Sequence, residues 1–437
     1  MYILVQLILL LLCIQMFRVN RPTKFAILLL ASICFNSVVM PFIFFGGSFY
    51  VLSFCFIASE FSHIRRNFRL LKGTIIKSII FAMLISMFFI YFNSPHYNGD
   101  ILQFVRLFLL EMVGKWLVLS YSFFCISSDQ SLKPAIKVSF YGLLVLTAFG
   151  ILNLAMKQSI FVSAISTGIN DMGVVFMDSD RFRVQAMFTN PFDYGFICVV
   201  LILFYIYGYT KHLMRKKDLY IGITCCLFGI VFCGCRTIIF CFLASLIALA
   251  LASYKLSKWM KYVSLGIVVA IVSYTFVPVV QEKIDSMTTM FDMNSEIGGS
   301  SMPMRILQYE TVLRYIEGHE LFGRGKDFFW IDLGWAKGPE GLVDKDLQGL
   351  EGVALGYLLE YGIVGTLFYY CAIIALYIYM WKKRKSNRLE AGLGVAILTT
   401  YVLFANMTGE LSSPFPTFLF VGALIGIIER KQIDNDT

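Results

Sequence analysis

Charge is scarce in this sequence. Asp, Glu, Lys and Arg together make up 15% of the chain, against 58% hydrophobic residues. A soluble domain is nearer a quarter charged and half apolar, so the shortage excludes an ordinary water-facing fold. Histidine is scarce too. His63, His96, His212 and His319 lie far apart, with no spacing that would hold a metal, so neither a metal site nor a cofactor is expected. Cysteine is present, but all 11 residues fall in hydrophobic stretches. They read as small apolar fillers and exclude a disulfide framework. Also missing are the short alternating segments of a membrane barrel, internal repeats and low-complexity tracts.

What remains is a series of continuous apolar runs about 17–25 residues long, the length a helix needs to cross a bilayer core of ~30 Å. Lipid offers no hydrogen bonds to the backbone, so such runs must be helical. The expected fold is all-α, a polytopic transmembrane helical bundle with twelve or thirteen spans. Approximate spans are 2–17, 25–40, 42–62, 75–93, 102–126, 138–156, 191–210, 219–235, 237–253, 262–279, 353–380, 391–408 and 416–428. The first, Tyr2 to Phe17, lacks a positive leading region and a small-residue cleavage site, and is expected to be a retained span.

Basic clusters punctuate these runs at Arg18–Lys24, Arg65–Lys77, Lys133–Lys137, Lys211–Lys217, Lys255–Lys261, Lys382–Arg388 and Arg430–Lys431. Positive charge gathers on the cytoplasmic side of membrane proteins. The clusters therefore predict a C-terminus inside and, with thirteen spans, an N-terminus outside. The same rule accounts for the net charge of +9 without a nucleic-acid partner.

Two outer loops are expected within this single membrane domain of residues 1–437, at 157–190 and 280–352. The larger holds 13 of the 28 acids and is long enough to be functional. It carries signs of order: Ser301 can cap a helix with Pro303 in its first turn. Ile306, Tyr309, Leu313 and Ile316 then make a stripe suited to the membrane or the bundle, and Gly323-Arg324-Gly325 ends the segment.

The anomaly is a group of arginines on or near the outer face: Arg181, Arg183, Arg236, Arg305, Arg314 and Arg324. Arginine forks match phosphate oxygens, so the group suggests an anionic ligand reached from outside. Loop arginines pairing with loop acids are the plainer alternative. Arg236 interrupts the apolar run from Leu219 to Ser253, where two spans turn with almost no polar loop. A charge so placed defaults to a functional reading, with snorkelling to the interface as the rival. Glu310 and Glu317 sit at helical spacing from Arg314, whereas Arg305 has no acid at i+3 or i+4 and is expected to be freer. Glu111 and Lys115, four apart, are expected to neutralise each other. Asp178-Ser179-Asp180 has the form of a metal-binding DxD motif of nucleotide-sugar transferases, but lies in an outer loop and is set aside.

Several stretches resemble the O-antigen ligase and polymerase superfamily of bacterial inner-membrane glycosyltransferases. They are Phe188-Thr189-Asn190-Pro191, Gly234-Cys235-Arg236-Thr237, and Met304-Arg305-Ile306-Leu307 followed by Glu320-Leu321-Phe322-Gly323-Arg324-Gly325. Glu351-Gly352-Val353-Ala354-Leu355, with Leu359-Glu360-Tyr361-Gly362-Ile363-Val364-Gly365, resembles the family's His-Asn-x-x-Leu…Glu-x-Gly-x-x-Gly signature. Arg314 with Gly325 fits the Arg-x10-Gly pattern of polymerases; Arg183 with Gly195 misses it by one residue. The departures are Cys235 where Ser is usual and Glu351 where ligases carry His; the latter leans toward a polymerase.

The resemblance implies an enzyme of the inner membrane, active on its periplasmic face. It would join undecaprenyl-pyrophosphate-linked repeat units into O-antigen or a related polysaccharide, without metal. A chain-length regulator and a flippase of the same pathway would be its partners. Arg236 and Arg305 would hold the pyrophosphate, and Glu351 would position or deprotonate the acceptor hydroxyl. Arg314, Arg181, Arg183 and Arg324 would be secondary contacts. A ligase acting on lipid A–core and a non-enzymatic flippase are the rival readings. Transporters tend to keep polar groups at the midplane of repeated halves, whereas here the outer loop concentrates them.

Overall fold

A computed structural model describes residues 2–36, 38, 47–67, 74–92, 94–96, 101–165, 177–178, 181–253, 275, 281, 302–335, 341–347, 350 and 352–436. In chain order the helices are α1 (Tyr2–Met16), α2 (Arg21–Cys34), α3 (Ser48–Asn67), α4 (Ile75–Phe92) and α5 (Ile101–Glu111). A π-helical turn, Met112–Trp116, joins α5 to α6 (Leu117–Cys125); α7 (Lys133–Met156) and the short α8 (Ile160–Ile165) follow. Met177–Asp178 and Arg181–Phe182 form a two-residue antiparallel ladder. Beyond it run α9 (Pro191–Thr210), α10 (Lys216–Phe232) and α11 (Arg236–Ser253). The cap contributes α12 (Met302–Ile316) and α13 (Phe328–Ile331) before α14 (Val353–Lys383), α15 (Arg388–Thr408) and α16 (Pro414–Asp436) return to the bundle.

Among the described residues, six stretches are long and apolar enough to cross a membrane: Phe104–Cys125, Asp129–Met156, Pro191–Thr210, Arg236–Ser253, Val353–Lys383 and Arg388–Thr408. The protein is thus an all-α, multi-pass membrane protein. Further expected spans coincide with α1, α2, α3, α4, α10 and α16, which are shorter or end in charge. The 14 residues of α2 rise only ~21 Å, and α3 runs on into Arg65 and Arg66. The expected span at 262–279 (Thr275 apart), the cytoplasmic cluster Lys255–Lys261 and the capping Ser301 lie outside the described residues.

At the centre of the bundle is α9, buried along nearly its whole length. Its start explains the Asn190-Pro191 motif. The Asn190 side chain accepts from the Asp193 backbone N–H at 2.7 Å, and proline at the first helical position needs no donor there. Close packing is bought with small residues: a Cβ on Gly195 would meet Ile238 and Cys233, and one on Gly229 would meet the Cys198 thiol. The cysteines are unbridged and mostly buried, as small fillers should be.

The two ends of the bundle differ. At one, the expected cytoplasmic clusters converge. Lys211 and Lys431 both bind Asp129 and Glu390, and Lys383 binds Glu429 at 3.2 Å. At the other sits the cap, with its own small core of Val312, Ile316, Leu333, Leu342, Leu347 and Leu359. That core fixes which way α12 faces. Gln308, Thr311, Val312 and Ile316 are buried, while Ile306, Tyr309 and Leu313 point outward.

Candidate functional site

The cap is fastened to the bundle by its glycine motif. Inside α14 the backbone breaks from helical geometry at Gly362 (φ 63°), freeing carbonyls and amides there for other partners. Gly323-Arg324-Gly325 docks into the break: Arg324 N donates to Leu359 O and Gly325 N to Glu360 O, both at 2.9 Å. In return Ile363 N donates to Glu320 O at 2.8 Å and Val364 N to Leu321 O at 3.0 Å. A Cβ on Gly323 would lie 2.5 Å from the Gly362 nitrogen, and one on Gly362 would lie 2.4 Å from the Gly323 nitrogen. Both glycines also carry positive φ, which a side chain disfavours. The two motifs are therefore the halves of one backbone clasp.

The loop between α4 and α5 closes over the same region. Ser94 Oγ donates to Lys326 O at 2.9 Å, and His96 meets Asp332 at 2.6 Å. Two cap residues titrate away from their ordinary values. Burial, and then the Asp344 carboxylate, raise Tyr315. Hydrogen bonds from its own backbone N–H and that of Gly318 hold Glu320 below the usual carboxylate range.

Arg305 reaches from the first turn of α12 to the end of α15, where Nη2 donates to Met407 O at 2.9 Å. It is tied more firmly than its lack of neighbouring acids predicts, because tertiary contact supplies the acceptor. Arg236 opens α11 and is half-buried. Helices α11 and α15 run antiparallel in close contact, with Ser253 against Gly392. Seventeen residues, or ~25 Å, back along α11 bring Arg236 level with the end of α15 where Arg305 is anchored. Arg183 joins this group: its Cγ lies 3.0 Å from the place a Cβ on Gly234 would occupy, and Val184 N donates to Phe232 O across the same turn.

Arg314 stands elsewhere. Nine residues along α12 from Arg305 place it ~13 Å away and half a turn round. Its partner is Asp344 at 2.8 Å, not Glu310 or Glu317, because the turn at Lys345–Leu347 packs on α12 and brings Asp344 within reach. Arg324 is spent on the cap itself: Nε donates to Tyr315 O and the guanidinium lies over Phe328. The backbone of Arg181 belongs to the small ladder with Asp178. Glu351 and Asp180 lie outside the described residues.

Sequence reasoning found the Glu111–Lys115 pair but missed the wider group that Lys115 joins near the loop after Met407. Lys115, in the π-helical turn, binds Glu410 and donates to the Tyr357 hydroxyl at 2.7 Å. Glu111, its expected partner, stands farther off at 3.5 Å. Tyr401 also donates to Glu410, and Lys115 lies over the Tyr357 and Tyr369 rings. Glu410 is three residues beyond Met407, so this buried network supports the ground on which Arg305 stands. Ser412 N, donating to Asp193 Oδ1 at 3.3 Å, joins the same loop to the start of α9. One signal was available: Arg106, Glu111 and Lys115 are charges within one apolar span, and such charges default to functional readings.

These features define a multi-pass helical membrane protein whose cap is clasped to one end of the bundle, the end that carries Arg183, Arg236 and Arg305. Residues 221–370 match the family described as O-antigen ligase. The match contains Arg236, Arg305 and both halves of the clasp, covers about a third of the chain, and supports the resemblance to the O-antigen ligase and polymerase superfamily. Among curated proteins no match is found.

Proposed function

We propose that this protein is a polymerase that joins lipid-pyrophosphate-linked oligosaccharide repeat units on the periplasmic face of a bacterial inner membrane. The acceptor unit's hydroxyl attacks the anomeric carbon of the donor chain. The carbon–oxygen bond to pyrophosphate breaks, undecaprenyl pyrophosphate leaves with the electron pair, and the hydroxyl proton passes to a base. What supports the reading is that Arg236, at the start of α11, and Arg305, tied to Met407 at the end of α15, lie at the same end of the bundle, both within the matched region.

Charge develops on the leaving pyrophosphate, and fixed guanidinium groups aimed at it lower the barrier because they need not reorganise. Arg236 and Arg305 take this role, with Arg183 beside them. Arg314 is exposed even while paired, so it can meet glycan, and Arg181 is a secondary contact of the same kind; Arg324, held by Tyr315 O and Phe328, serves the cap instead. Glu351, two residues before α14, is the candidate to position or deprotonate the acceptor hydroxyl.

One observation favours a second reading. The matched family is described as O-antigen ligase, and a ligase would transfer finished glycan to lipid A–core. Glu351 in the place of the ligases' histidine favours the polymerase. Reconstitution with lipid-linked repeat units distinguishes them. A ladder of products supports polymerisation, glycan appearing only on added lipid A–core supports the ligase, and translocation without product contradicts both.

A further inference from the structure

At the end of the bundle opposite the cap, a cavity of about 460 Å³ opens between α2, α3, α6 and α16. Arg21, Glu60, His63, Phe124 and Arg430 line it. Its charge does not balance. Among the described residues Glu60 is the one carboxylate in the lining, and both of its oxygens are taken: Oε2 by Arg21 Nε at 2.8 Å and Oε1 by buried Lys24 at 2.6 Å. Arg430 is held by neutral groups, Ile126 O at 2.7 Å and Phe123 O at 3.2 Å. These carbonyls anchor the guanidinium but cannot cancel its charge. Among the described residues, Arg21 and Arg430 in the lining, with Lys24 behind them on Glu60, thus stand against one anion. Burial, and then the field of Arg21, hold the Arg430 guanidinium below its ordinary value.

A second hollow, about 300 Å³, lies directly alongside. Its floor is α6, through Leu117 and Phe124, and its walls are α3 and α4, through Ile57, Ile80 and Leu84. Phe124 lines both spaces, and its ring meets His63 edge-on at 6.1 Å. Helix α3 presents Glu60 and His63 to the first and Ile57 and Ile64 to the second. A cationic cavity sharing a wall with an apolar groove between spans is complementary to an amphiphile with an anionic head. A soluble phosphate would use only the first half.

We propose that this pair of hollows binds an anionic phospholipid of the leaflet at that end of the bundle, the phosphodiester against Arg21 and Arg430 and an acyl chain in the groove beside Phe124. Basic pockets between spans at the cytoplasmic side recognise anionic headgroups in this manner. The site is remote from the arginines under the cap, and the proposal does not depend on the reading of those residues.

The test uses the full chain purified in detergent and native mass spectrometry. It is titrated with phosphatidylglycerol, with phosphatidylethanolamine of the same acyl chains, and with inorganic phosphate. Phosphatidylglycerol should bind at least tenfold more tightly than phosphatidylethanolamine, and inorganic phosphate should not displace it at comparable concentration. Arg21→Gln should weaken phosphatidylglycerol roughly fivefold to tenfold, on the scale of one basic group near an anionic lipid. Glu60 keeps Lys24 in that variant, so no carboxylate is stranded. Arg430→Gln should do the same, but removes ties to α6. Leu84→Trp therefore serves as the second probe: it obstructs the groove, leaves every charge in place, and should weaken phosphatidylglycerol also. Equal binding of the two lipids, full binding by Arg21→Gln, or displacement by inorganic phosphate with Leu84→Trp unaffected would overturn the proposal.

Discussion

Replacing Lys115 by methionine removes a charge from the most buried ionic group near the candidate site while nearly keeping its volume. The lysine side chain is 9% exposed, and those of Glu410 and Glu111 are each 15% exposed. Water therefore cannot take over the solvation that the ammonium provides. Breaking a buried pair by deleting one partner costs ~3–5 kcal/mol, because an uncompensated charge is left behind. At 1.4 kcal/mol per decade this is about two to three and a half orders of magnitude in the folded fraction. The Tyr401 hydroxyl still donates to Glu410, which places the expected loss toward the lower bound. Unfolding followed by denaturant titration in mixed micelles measures it. The double variant Lys115→Met/Glu410→Gln removes both charges and should be more stable than Lys115→Met alone, since contacting residues do not behave additively. A single variant as stable as the parent, or a double variant that loses the sum of both single losses, would refute the reasoning.

Other expectations follow from the same geometry. Gly323→Ala should loosen the cap, because its Cβ would strike the α14 backbone at 2.5 Å where no side chain can yield; faster proteolysis within residues 302–335 reads this out. Arg314→Lys should leave glycan synthesis near normal, as Asp344 can pair with either cation, and product ladders check it. Glu351→Gln keeps size and hydrogen bonding but cannot take a proton; if Glu351 is the base, turnover should fall roughly 10²–10⁴-fold, and a change of only a few-fold assigns it to structure. A reporter fused within residues 298–346 should read periplasmic and one at Lys383 cytoplasmic, and the reverse result would put the arginine cluster on the wrong side of the membrane for its substrate.

Much of the scaffold was legible because a membrane span is a local property: twenty apolar residues announce it with no knowledge of their neighbours. The start of α9 was legible for the same reason, since Asn190 and Pro191 act within one turn. The clasp was half legible. Gly323 and Gly325 read as a sharp end to the cap, but their partner Gly362 is 39 residues away, and no periodicity links two glycines that meet backbone to backbone. Lys115 shows the limit plainly. Four-residue spacing selected Glu111, while the nearer partner, Glu410, is 295 residues distant. Arg314 was misassigned to Glu310 and Glu317 by the same habit, because helical spacing ranks local acids and says nothing of a turn folded back onto the helix. The stripe of Ile306, Tyr309 and Leu313 was found as a pattern but given no direction; direction came from the leucines of the cap core.

The central claim is that planar guanidinium groups at Arg236 and Arg305 stabilise a leaving pyrophosphate. The most direct measurement is polymerisation of lipid-linked repeat units by the reconstituted protein, comparing Arg236→Lys and Arg305→Lys with the parent at matched membrane insertion. Lysine keeps the charge but loses the fork that grips two oxygens at once. The account predicts that both variants insert normally and that their product ladders collapse. Ladders of near-normal length and amount from both would contradict it.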